Sequence, residues 1–218
     1  MKLGALLIGV LLLPLCSAFA SAQQTTVSSA DEAQIDATAK QFYALSHPDA
    51  SCVFSKVDDS GNPTDPRVRS KSFRDQSYTR IFKPIFSQSL FAYMKQSCVL
   101  AENSSGMLDI RVWDSEINTD PSGYGNNVRL KITRPLKILQ ATPNQVRARV
   151  DWAEFIGSSK KAYTVGRTDL VFVKEGDRWL IDDAFTLGAA SATPGQFDMP
   201  VKDFDNAVGI IHLRDGKS

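Results

Sequence analysis

The sequence is short of the residues that most metal-binding and catalytic chemistry uses. It has two histidines, His47 and His212, and three cysteines, Cys16, Cys52 and Cys98. There is no Cys-x-x-Cys pair, so neither a zinc site with ordinary ligand spacing nor a thiol-exchange motif can be drawn from it. An excess of one charge is missing as well. Twenty-five Lys and Arg stand against 24 Asp and Glu, a formal charge of +1, which gives no general attraction to nucleic acid and predicts no nucleic-acid partner. The nearest basic run, Arg67, Arg69, Lys71 and Arg74, lies in a polar stretch and reads as a solvated surface. No glycine-rich phosphate loop is present: Gly123-Tyr124-Gly125 lacks the flanking strand and helix of a dinucleotide fingerprint, and no cofactor is expected. Asp58, Asp59, Asn62 and Asp65 lack the alternate spacing and closing Glu of a calcium loop, so no metal is expected either. Ser158 and Lys161 match Ser-x-x-Lys on a turn, without the companion motifs of an acyltransferase. Asn103-Ser104-Ser105 has the glycosylation pattern, which matters only in a host that glycosylates there.

Long apolar runs are limited to one. Lys2 precedes an apolar stretch from Leu3 to Leu15, followed by small residues ending in Ala20-Ser21-Ala22. That is the layout of a secretory leader, too short to span a bilayer, and it predicts a periplasmic or secreted chain cleaved after Ala22 or after Ala20. Lipid attachment at Cys16 is disfavoured by the bulky and rigid Leu13-Pro14-Leu15 before it. Removing residues 1–22 takes away Lys2 and no acid, so 25 bases become 24 against 24 acids. With no second apolar run, no membrane span is expected after cleavage.

Processing also leaves Cys52 and Cys98 as an even pair. In an oxidising compartment such a pair is expected to form a disulfide, with two buried thiols as the alternative. The enclosed loop, 98 minus 52 or 46 residues, would contribute about 3–4 kcal/mol on the chain-entropy scale.

The whole chain of 218 residues, 43% hydrophobic and 22% charged, suits a single core. Gln23 to Ser29 is polar and reads as a flexible stretch. Ser29 and Glu32 have capping-box spacing, and Ile35, Ala39 and Phe42 form the buried stripe of a helix ended by His47-Pro48. Residues 55–71 read as a surface loop. Ser72 and Asp75 repeat the capping spacing ahead of a helical region whose apolar positions run from Phe73 to Met94, and Pro84 should kink it or open a second helix. Then the period changes to two. Val128, Leu130, Ile132, Leu136 and Ile138 share one face, as do Val146, Ala148, Val150 and Trp152, with Arg147, Arg149 and Asp151 on the wet side. Two further runs, Tyr163 to Lys174 and Trp179 to Leu187, are joined by Gly176-Asp177 in a tight hairpin. The plan is α+β: N-terminal helices packed on an antiparallel sheet of about four long strands.

An opening helix with Phe42-Tyr43, a helix pair with Ser89-Leu90 near its centre, the step Gly106-Met107-Leu108-Asp109 and the final hairpin Gly176-Asp177-Arg178-Trp179-Leu180-Ile181-Asp182-Asp183, all behind a secretion signal, resemble the NTF2-like superfamily. The nearest branch is its small secreted bacterial domains of unknown function. The resemblance covers residues 30–187 and leaves 188–218 as a C-terminal tail. It implies a curved sheet wrapped on helices as a cone with a pocket, and it allows a homodimer through the sheet. Fold of this kind underdetermines function.

Isomerase-type members of that superfamily set a carboxylate against a Tyr or protonated acid in the pocket. Tyr43, Asp109, Asp114, Tyr124 and Asp151 could supply such groups, but no motif fixes a pair, and His47 and His212 are poorly placed for a His–Asp pair. No catalytic residue is assigned. Asp182 and Asp183 are expected to bind backbone or face solvent, and Trp152 and Trp179 to lie in the core. Residues 106–127 read as a pocket rim, giving Asp109, Trp113, Asp114 and Tyr124, with Tyr43 of the opening helix, as candidate ligand-binding residues. The functional expectation is a non-catalytic domain that binds a small ligand or a protein partner, for example an immunity or accessory protein. The alternative is a small isomerase or hydro-lyase using carboxylates in the cone.

Overall fold

A computed structural model of the chain describes residues 27–56, 58, 63–101, 110, 128–162, 164–191 and 211–212. Helices come first and an antiparallel sheet follows, an α+β architecture whose sheet is not closed into a barrel. Helix α1 spans Ser29–Tyr43. Ser28, not Ser29, caps it: its Oγ accepts from the Asp31 amide at 3.1 Å and donates to the Asp31 carboxylate at 2.8 Å. Both Ser28/Asp31 and Ser29/Glu32 have the right spacing, and the chain uses the earlier pair. Ile35, Ala39 and Phe42 are buried as one stripe. The helix stops at Tyr43, short of His47-Pro48, and His47–Ala50 forms a separate single turn, α2, in which Pro48 sits early enough that its missing amide costs nothing.

Helix α3 spans Lys71–Phe82 and α4 spans Gln88–Ala101. The Ser72–Asp75 capping box does not form. Ser70 is the cap residue without a side-chain bond, Ser72 accepts from Gln76, and Asp75 pairs with Lys71 and Lys95. Pro84 neither kinks a helix nor opens one, because it lies in the break between α3 and α4. That break joins the sheet: the Ile181 amide donates to the Ile85 carbonyl at 2.9 Å and the Ser87 amide to the Ile181 carbonyl at 2.8 Å. Ser87 then caps α4, accepting from the Leu90 amide at 3.0 Å while donating to Asp182. Glu175 accepts from the Gln88 amide at 2.9 Å and places a carboxylate at the same helix end.

The strands are β1 (Val128–Ile132), β2 (Lys137–Ala141), β3 (Gln145–Ile156), β4 (Thr164–Glu175), β5 (Arg178–Ser191) and β6 (Ile211–His212). Their order is β1-β3-β4-β5-β6, with β2 also on β3. The run expected as one first strand is therefore two short ones laid end to end along β3, β1 against Trp152–Ile156 and β2 against Val146–Arg149. Pro135 lies in the gap, where it has no amide to give the ladder. Thr133 bridges part of that gap by donating its amide to the Asp151 carbonyl at 2.9 Å.

The two-residue turn Gly176-Asp177 closes the β4–β5 hairpin as expected, with Gly176 in the left-handed region at φ 61°. Strand β5 continues past Leu187 to Ser191, and β6 pairs with Phe185 and Thr186, so one piece of the tail adds a short strand to the sheet. Between the α3–α4 break at Ile181 and β6, two stretches of the outer edge of β5 are covered.

Candidate functional site

Along Val146–Trp152 the strand period divides the sheet into two faces of opposite chemistry. On the helix-facing side, Val146, Ala148, Val150 and Trp152 of β3 stand beside Leu170 and Phe172 of β4 and Ile181 of β5, all buried. The helices press Phe42, Tyr43, Phe82, Phe86, Leu90 and Met94 onto them in a single cluster. Phe82 and Phe86 stack with ring centroids 5.3 Å apart, and Phe42 meets Tyr43 edge-on at the same separation. Each such aliphatic or aromatic side chain contributes about 1.5–3 kcal/mol by leaving water. Trp152 is 1% exposed, and its indole N–H donates to Thr168 Oγ1 at 3.0 Å. Its ring lies directly over Gly166, where a Cβ would come within 2.1 Å of it. The glycine in mid-strand thus makes room for the largest side chain of the core.

The opposite face carries ions. Asp169 of β4 is fully buried between two arginines of β3. Arg147 donates to Asp169 Oδ2 from Nε at 3.1 Å and Nη2 at 2.9 Å, and Arg149 donates from Nε to Oδ1 at 2.7 Å and from Nη2 to Oδ2 at 3.1 Å. Four charge-assisted bonds are what makes burial of a carboxylate tolerable there. Next along the sheet, Arg167, 3% exposed, donates from Nε to Asp151 Oδ1 at 2.6 Å, and Arg134 lies 3.8 Å from the other oxygen. Arg129 and Lys131 of β1 sit over the Phe155 ring at 5.8 and 5.6 Å, and Arg147 over the Phe185 ring at 5.0 Å. Lys137 stands opposite Arg149 and Asp183 opposite Val171.

The candidate residues read from the sequence separate under this geometry. Tyr43 is in the core, 1% exposed, at the end of α1. Asp151 is not on the helix-facing side with it but on the ionic face, because odd positions of β3 point away from the helices. Asp109, Trp113, Asp114 and Tyr124 lie outside the described residues. Asp182 accepts from Ser87 and Asp183 from the Ala184 amide. Trp179 is buried as Trp152 is. Cys52 is buried after α2 with φ 59°, and the side chain of Cys98 lies outside the described residues. Residues 1–22, expected as a leader, also lie outside them.

Sequence reading missed the Asp169 clamp. Its signal was the pair Arg147-x-Arg149 on one strand and Arg167-x-Asp169 on the next, which becomes legible only once the register sets Arg149 opposite Asp169 and Asp151 opposite Arg167.

A second polar cluster ties α1 to the sheet. Asp31 accepts from Lys174 at 2.9 Å and from the Trp179 indole at 2.6 Å. These bonds, with that of Ser28, lower its carboxyl to about 2. On α3, Asp75 is held below its ordinary value by hydrogen bonds from Lys71 and then Lys95, beside an open groove of about 640 Å³ lined by Lys71, Asp75, Thr79 and Arg80. Burial raises the Tyr78 phenol, which donates to the Phe91 carbonyl at 2.7 Å. Among the described residues no three His, Cys, Asp or Glu side chains gather to hold a metal, and no helix is long and apolar enough to cross a membrane. Compared with family models, curated proteins and solved structures, the chain matches none of them.

Proposed function

We propose that this chain is an exported NTF2-like domain that binds a protein partner without performing chemistry, in one version an immunity or accessory protein that captures a secreted effector. One observation carries the reading. The side of the sheet where such a cone would keep its pocket is occupied by Trp152, Phe172, Phe42, Tyr43, Phe82 and Phe86, each no more than 2% exposed. A substrate reaching Tyr43 there would have to displace close-packed aromatics, at a cost of several kcal/mol. Export follows from the leader at residues 1–22, and with it a Cys52–Cys98 disulfide in the oxidised chain.

The test is expression of the full chain in an export-competent bacterium, followed by in-cell crosslinking and size-exclusion chromatography of the exported form. A single partner co-eluting at fixed stoichiometry is the expected result, with Cys52 and Cys98 inert to a thiol probe until reduced. Turnover of a small substrate that is abolished by Asp109→Asn or Asp114→Asn would overturn the reading in favour of the enzyme.

A further inference from the structure

We propose that the partner docks on the ionic face of the sheet, and that the matching surface is an acidic one on a protein. This rests on the partner-binding reading and gives it a location and a chemistry. The described residues of this face include seven cations: Arg129 and Lys131 on β1, Arg134 and Lys137 on the next segment, Arg147 and Arg149 on β3, and Arg167 on β4. Three acids, Asp151, Asp169 and Asp183, stand among them, so this set of described residues holds four more cations than acids. The whole chain carries only +1. Charge is therefore segregated onto this face, and a segregated patch steers an oppositely charged partner into register.

The buried carboxylate has a further effect. Asp169 fixes the guanidinium groups of Arg147 and Arg149, whose side chains remain 35% and 21% exposed. Arginines held in place before contact lose less side-chain entropy on binding. Arg134 is 53% exposed, and Arg129, Lys131 and Lys137 are exposed around them.

Other anionic partners fit less well. Single-stranded nucleic acid would need open aromatic faces for stacking, and here the Phe155 and Phe185 rings already lie under cations. A lipid surface would need exposed large apolar groups to insert, whereas Phe155 and Phe185 are only half exposed at most and flanked by charge.

The experiment uses the exported chain and fluorescent poly-L-glutamate, with heparin, single-stranded DNA and phosphatidylserine vesicles as comparators. Lys131→Glu/Lys137→Glu changes the face, and Lys56→Glu/Lys83→Glu makes the same charge change elsewhere on the surface. All four lysines are exposed, so melting curves should match that of the parent chain. Binding of poly-L-glutamate that weakens as salt is raised, falls about tenfold or more in the first variant and persists in the second supports the proposal. Absence of binding at low salt, or equal loss in both variants, overturns the location. Tighter binding to heparin, DNA or vesicles than to poly-L-glutamate overturns the acidic-protein chemistry. A partner that co-elutes equally with the parent and with Lys131→Glu/Lys137→Glu removes this surface while sustaining partner binding, whereas no partner with either chain removes both.

Discussion

Strand β3 presents two environments to alternate residues. Val146, Ala148, Val150 and Trp152 are sealed against helices, while Arg147, Arg149 and Asp151 lie among ions that keep partial contact with water. Both sides are densely bonded, but by different physics. Apolar packing is non-directional and admits no water, so the helix-facing side has a definite shape and little to offer a ligand. The ionic side is directional. Its bonds satisfy Asp169 completely and leave the rims of Arg147 and Arg149 outward, which suits contact with another charged surface.

The contrast can be broken first at its heaviest point. Trp152→Ala should remove about 3–5 kcal/mol of stability, read by urea denaturation, because a large ring leaves a cavity that the surrounding strands cannot close. Next comes the ionic side, where Asp169→Asn should cost about 2–3 kcal/mol: it removes a charge that two guanidiniums share, and those arginines recover part of the loss by turning to water. A destabilisation as large as that of Trp152→Ala would show that the ionic side is as much core as the other.

Gly166→Ala is the sharper probe of filling. A Cβ within 2.1 Å of the Trp152 ring forces it to move, and overpacking of this kind should cost about 1–3 kcal/mol in the same denaturation assay. A neutral result would reveal slack in that layer.

The smallest effect lies at the rim, where Asp31 joins α1 to Lys174 and Trp179. Its folded carboxyl at about 2 is below the ordinary 3.8. The stabilisation is therefore present above pH 3.8 and is lost as the pH falls through about 2. Acid titration of stability should show less loss across that interval in Asp31→Asn than in the parent chain.

Much of this division is legible in the sequence, since two-residue alternation in Val146 to Trp152 identifies the buried face without any knowledge of partners. The helix-forming stripe of Ile35, Ala39 and Phe42 is equally local. What escapes is whatever depends on a choice between equivalent local signals or on pairing across distance. Ser28 and Ser29 offer the same capping spacing, and nothing nearby decides between them. Pro135 divides the first strand, although the even-numbered apolar residues on both sides continue as if it were one. The opposition of Arg149 and Asp169 is a property of register, 20 residues apart in the chain, and so the wet face conceals its buried acid. Of the candidate ligand residues, Tyr43 is apolar-packed because it continues the helix stripe, a role its hydroxyl does not advertise.

The most direct test of the difference between the faces is an NMR titration of the chain with poly-L-glutamate at low salt, read at side-chain rather than backbone resonances because neighbouring amides belong to both faces. The Nε–H signals of Arg147 and Arg149 should shift while the Trp152 indole N–H stays in place. Movement of the Trp152 indole or the Tyr43 ring with the arginine signals unchanged would contradict the assignment and reopen the helix-facing side as the binding site.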